Sequence, residues 1–93
     1  MDAASTISPF PPPAVTARTL DKSTVVNWEV PSGPVLHYEI FRSLDGGAYE
    51  RIGQSAAPPF VDCPPEGKSA RYSVSVVNRF GTPSRPREAA VMD

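Results

Sequence analysis

Ninety-three residues make about one small domain, and a formal net charge of -1 with 20% charged residues is neither the basic excess of a phosphate binder nor a self-repelling acidic tail, so nucleic acid is not an expected partner. No run approaches the roughly 18 apolar residues of a membrane span, and residues 1–13 lack the charged start and unbroken apolar stretch of a signal peptide. The single cysteine, Cys63, permits no internal disulfide, so Trp28, Tyr38, Ile40, Ile52, Tyr72 and the valines must supply the core.

In chain order, residues 1–13 end in Pro9-Phe10-Pro11-Pro12-Pro13 and read as an extended, polyproline-like N-terminal arm or linker, with the domain proper at 14–93. A first strand is expected at 15–20, a turn at Asp21-Lys22-Ser23, and a second strand at 24–30 with Val26 and Trp28 on one face. Pro31-Ser32-Gly33-Pro34 ends it. In a third strand at 35–42, alternation puts Leu36, Tyr38 and Ile40 on one face and His37, Glu39 and Phe41 on the other. Asp45-Gly46-Gly47 is a tight-turn signal, because Asp-Gly supplies positive backbone angles, and residues 48–54 return antiparallel. Residues 59–62 read as an edge strand, and Pro64-Pro65-Glu66-Gly67 as the loop that crosses between sheets. A long central strand at 70–78 carries Tyr72, Val74 and Val76 at period two, and 85–92 is the last strand. The 12 prolines fall between the apolar runs, where a missing amide hydrogen costs no ladder bond. Seven short strands without a helical period imply an all-β, antiparallel Greek-key sandwich.

Several of these residues together resemble a fibronectin type III domain: the prolines before the first strand, Val26 and Trp28, and Tyr38 through Ser43 leading into Asp45-Gly46-Gly47. Phe60-Val61-Asp62, Val74 through Asn78, Gly81 and Ser84 complete the pattern. The resemblance covers 14–92, and the hairpin from Arg42 to Tyr49 looks most like the bacterial and viral branch of that family. In one respect the chain departs from the pattern. The tyrosine that forms a corner with the preceding loop would fall at Ala70, whereas Tyr72 stands one inward position later. A buried phenol there still needs a hydrogen-bond partner.

No constellation points to catalysis, to a metal or to a cofactor. His37 and Cys63, the only imidazole and thiol, are separated by a strand of about six residues, roughly 20 Å. One histidine and one cysteine do not make a zinc site, and Asp2, Asp21, Asp45, Asp62 and Asp93 read as scattered surface charges. The acids do not pair across a cleft as a hydrolase requires, and the glycines mark hairpins rather than a phosphate loop. Arg71, Arg79, Arg85 and Arg87 gather on the last two strands. They form either a basic strip for an acidic partner or outward charges that discourage edge pairing. Phe80 beside Arg79 is either an exposed aromatic contact or a lid on the core. Phe10, flanked by prolines, has no obvious place in the sandwich and reads either as a preorganised ligand for a groove on another protein or as part of a disordered leader.

The expected function is therefore a non-catalytic interaction module whose partner contacts are Phe10, Pro11, Pro12, Arg79 and Phe80. Two settings are expected, the first from a Met1 without a secretion signal and the second from the hairpin's likeness to modules of secreted enzymes. In the first, Met1 is the native start, and the chain is a whole subunit docked on a protein assembly such as a virion, as a decoration or tail-type component. In the second, the chain is a spacer or accessory module from a secreted bacterial polysaccharide-degrading enzyme or adhesin, residues 2–13 are the end of a linker, and carbohydrate is the possible ligand.

Overall fold

A computed structural model describes residues 8–92 of the chain, and residues 1–7 of the proline-rich arm lie outside the described residues. Two four-stranded sheets face each other. The first has the order β5-β2-β1-β8, with β1 at Val15–Leu20, β2 at Ser23–Trp28, β5 at Phe60–Asp62 and β8 at Ala90–Met92. The second has the order β4-β3-β6-β7, with β3 at Val35–Leu44, β4 at Glu50–Ser55, β6 at Ala70–Asn78 and β7 at Arg87–Glu88.

Among the described residues there are eight strands rather than seven, because the segment expected as one strand at 85–92 divides. Arg87 and Glu88 pair antiparallel with β6, and after Ala89 the chain crosses to the other sheet, where β8 runs parallel to β1. The sandwich is thus not wholly antiparallel. Ala89 holds the crossing point: its amide donates to the Tyr72 carbonyl at 2.7 Å, and its side chain packs against the core. Periodicity alone cannot signal such a switch, since both halves are extended backbone.

The core is built by alternation. Val15 and Ala17 of β1, Val26 and Trp28 of β2, Tyr38 and Ile40 of β3, and Tyr72, Val74 and Val76 of β6 form one buried cluster. The rings of Trp28 and Tyr38 meet at 5.0 Å and 50°, an inclined packing that suits their quadrupoles. Ile52 packs on the margin of the cluster, whereas Val30, Val61 and Val91 are exposed. Leu36 departs from the expected alternation. The ladder between β3 and β6 shifts register between Val35 and His37, and the extra residue leaves Leu36 exposed while Val35 packs on the core.

The expected turn at Asp45-Gly46-Gly47 forms, with φ of 51° at Asp45 and 76° at Gly46 and a bond from the Gly47 amide to the Leu44 carbonyl. Asp45 also accepts from the Ser69 amide and lies 3.3 Å from Lys68. The amide first, then Lys68, hold its carboxyl below its ordinary value. Gly53 serves a different purpose. A Cβ there would lie 3.1 Å from the Phe60 ring, so the glycine lets β5 close onto β4.

The two sheets are tied by a polar group as well. Asp62 of β5, read from sequence as a scattered surface charge, has a side chain only 14% exposed. It accepts from Arg42 of β3 at 3.0 Å and from the Tyr72 hydroxyl of β6 at 2.6 Å. Tyr72 thus replaces the corner tyrosine with a bond to a side chain on the opposite sheet, while Ala70 is the half-buried first residue of β6. On the outer face of the second sheet, the Tyr49 hydroxyl crosses from the β4 side to donate to Glu88 of β7 at 2.6 Å. Ser73 of β6 is buried on that face.

Both phenols are pushed up to about 12, by desolvation first and then by the carboxylate each donates to. A phenol whose pKa is raised on folding stabilises the fold fully below its unfolded value, near 10, and loses that contribution as pH rises through the folded value. Urea unfolding is therefore expected to hold steady up to about pH 10 and to weaken between about 10 and 12, with a shallower decline in Tyr72→Phe. Equal declines in the two proteins would contradict the Tyr72–Asp62 tie. Truncation of Trp28 to alanine is expected to cost about 3–5 kcal/mol in the same measurement, most of the margin of a small domain.

Candidate functional site

Three of the residues that the sequence singled out, Phe10, Arg79 and Phe80, meet at the end of the sandwich where β1, β3 and β5 begin and β2 and β6 finish. The β2–β3 loop, the β6–β7 connection and the segment before β1 meet there. Asn78 organises the junction. It occupies the inward stripe of β6 after Tyr72, Val74 and Val76, and it is buried, so its amide must find partners within the protein. It finds three. Its Oδ1 accepts from the Phe80 and Thr82 amides, each at 2.9 Å, and its Nδ2 donates to the Ser8 carbonyl at 3.1 Å.

Backbone bonds finish the turn. The Gly81 amide donates to the Asn78 carbonyl at 2.9 Å, and the Asn78 amide to the Thr82 carbonyl at 3.0 Å. Gly81 takes a φ of 84°, the left-handed conformation for which glycine carries no Cβ penalty. Past the turn, Ser84 is buried against β6. Its Oγ accepts from the Val76 amide at 2.9 Å, and its carbonyl accepts from the Ser75 hydroxyl at 2.7 Å. The connection is thus bonded to β6 along its length rather than free of it.

Phe10 does have a place in the sandwich. Its ring packs against the margin of the core and lies 3.4 Å from where a Cβ on Gly33 would stand. Pro13 is buried, Pro12 half-buried and Pro11 exposed. Phe80 does not close over the core as a lid. It is 50% exposed, and the Arg79 guanidinium carbon lies 4.9 Å from the centre of its ring, a cation–π contact. Ser8, Phe10, Pro34, Asn78, Arg79 and Phe80 line an open cleft of about 350 Å³ with mostly apolar walls. Phe10, Arg79 and Phe80 are therefore brought together, whereas Pro11 and Pro12 are not among the lining residues.

The other chemistry-bearing residues stay apart. His37 Nε2 lies 3.5 Å from Glu39, which Arg51 also approaches at 3.6 Å, and Cys63 sits exposed beside the Ser23 hydroxyl at the β1–β2 turn. Among the described residues, no group of three or more histidines, cysteines or acids could hold a metal ion. Nor does any helix among the described residues have the length and apolarity to cross a membrane. Sequence reasoning missed Asn78, which carries the geometry of the cleft. The available signal was a buried-strand stripe ending in an amide, three residues before a glycine.

No protein-family model matches the chain, and no curated protein matches it by sequence. Solved structures match it in fold. A Fn3-like protein from Clostridium thermocellum is 23% identical, with a TM-score of 0.75 over 91% of this chain and 93% of that one. Pectate lyase PelI from Erwinia chrysanthemi, solved in complex with tetragalacturonic acid, is 19% identical with a TM-score of 0.70, over 83% of this chain and 28% of the lyase. Pectate lyase Pel3 from Pectobacterium carotovorum is 21% identical with a TM-score of 0.65, over 88% of this chain and 27% of the lyase. The chain has a fibronectin type III-like fold, and it spans only about a quarter of either lyase.

If Asn78 sets the cleft, its replacement by alanine removes the acceptor of two loop amides and the donor to the Ser8 carbonyl. Asn78→Ala is expected to cost about 1–3 kcal/mol in urea unfolding and to sharpen and shift the Phe80 and Thr82 amide resonances toward those of a mobile loop. An unchanged loop spectrum would show that the turn is held by something else.

Proposed function

We propose that the chain is a non-catalytic accessory module of a polysaccharide-degrading enzyme, with the loop end around Phe80 as its contact surface. The carrying observation is the likeness of the whole sandwich to a part, about a quarter, of two pectate lyases. A module of that kind adds spacing or contact to a catalytic domain whose chemistry lies elsewhere, and a fold of this class is a carrier for sites rather than a source of chemistry. The loop end suits contact. It joins a half-exposed ring, a guanidinium and an apolar cleft on a framework fixed by hydrogen bonds.

The same surface would serve a subunit docked on a virion, the first setting expected from sequence. The enzyme likenesses favour the accessory module over it. The reading frame that encodes the chain is the test. An accessory module requires a polysaccharide-degrading catalytic domain in the same frame, whereas a frame that starts at Met1 and stops after Asp93 contradicts it and favours the free-standing subunit.

A further inference from the structure

The chain carries seven arginines, and their pairing divides them. Arg42, Arg51 and Arg71 each lie within 4.0 Å of a carboxylate. Among the described residues, Arg18, Arg79, Arg85 and Arg87 make no ion pair, and the last three occupy one short stretch from the cleft down the edge of the second sheet. Bonds from Ser84 to Val76 and the pairing of Arg87 with Val74 fix this register. Arg79 sits at the tip beside Phe80, Arg85 just past the level of Val76, and Arg87 at the level of Val74. At about 3.4 Å per residue, the three cations span roughly 15 Å of edge.

No acid interrupts the sequence between Arg79 and Arg87. The next residue, Glu88, is already engaged by the Tyr49 hydroxyl at 2.6 Å and by Arg71 at 3.8 Å. A protein of net charge -1 thus concentrates unneutralised positive charge beside its apolar cleft. Pro83 and Pro86 lie on this same stretch and present no backbone N–H, so the edge is ill suited to adding a peptide strand. A ligand here is read by side chains.

We infer that the Phe10–Phe80 cleft and the Arg79–Arg85–Arg87 edge bind a linear chain of uronic acids. This rests on the accessory-module reading and gives it a substrate class. A uronate unit has an apolar C–H face and a carboxylate on each ring, which matches half-exposed phenyl rings next to a run of guanidiniums. Arg79, held against Phe80, has a defined position from which to donate two parallel N–H bonds to a carboxylate. A neutral glucan offers no group for the arginines, and an acidic peptide would leave the sugar-sized cleft of about 350 Å³ without its pyranose.

Titration calorimetry of the chain with tetragalacturonic acid, cellotetraose and an oligoglutamate tests this. Saturable tetragalacturonate binding is expected, weakening as salt rises, with no comparable binding of cellotetraose or oligoglutamate. Arg79→Gln, Phe80→Ala and the double change Arg85→Gln with Arg87→Gln are each expected to weaken it roughly tenfold. Arg18→Gln, on the outer face of the other sheet, is expected to leave it unchanged. The altered side chains are solvent-exposed, and urea unfolding checks that each variant keeps the parent stability. The inference is overturned by absence of tetragalacturonate binding, by binding indifferent to Arg79 and Phe80, or by equal or tighter binding of either control. Any of these leaves intact a module encoded in frame with a catalytic domain and acting as a spacer, so the two readings fail separately.

Discussion

A chain of this length without a disulfide must hold two sheets together by side chains, and the neighbouring strands β3 and β6 supply the fully buried residues on one side of that packing. These are the two longest strands, adjacent in the centre of one sheet. From them Tyr38, Ile40, Tyr72, Val74 and Val76 project into the interior and meet Val26 and Trp28 from the other sheet. Burial of these side chains is the main favourable term available. Everything at the margins, including the loop end, is positioned by that central ladder.

The ends of the β6 stripe are where apolar packing gives way to polar pairing. At one end Tyr72 reaches Asp62, which Arg42 also engages, so the phenol, carboxylate and guanidinium satisfy one another between the sheets. At the other end Asn78 takes the next inward position and spends its amide on the β6–β7 turn and on Ser8. In each case a buried polar group is tolerable because it is bonded, and at each end one of the bonds draws in a segment distant in sequence, Arg42 to Asp62 at one and Asn78 to Ser8 at the other. One strand therefore fixes both the closure of the sandwich and the shape of its candidate contact surface.

Much of this was legible in the sequence because strands 15–20 and 70–78 alternate cleanly and Asp-Gly turns have specific backbone demands. The failures share a cause. Leu36 was misplaced because an extra residue in a ladder leaves no mark on alternation, and the last strand was read as one because the choice of neighbouring strand belongs to the tertiary structure. The Asp62 network likewise joins β3, β5 and β6, whose contact no local pattern announces. Phe10 was set apart by its prolines. In the folded chain its ring settles beside Gly33 at the margin of the core. The sequence pairs Arg79 with Phe80 but leaves Phe80 open between contact and lid, and it does not mark the buried asparagine that holds them.

A contact surface built this way costs little to organise when a partner arrives, because its turn is already bonded to the central strand. That preorganisation is the claim on which the functional account turns, whatever the ligand. Amide hydrogen exchange of Phe80 and Thr82 tests it most directly, since both amides donate to the buried Asn78 Oδ1. The account requires their protection to approach that of the β6 amides. Exchange at the rate of an unstructured loop would contradict it.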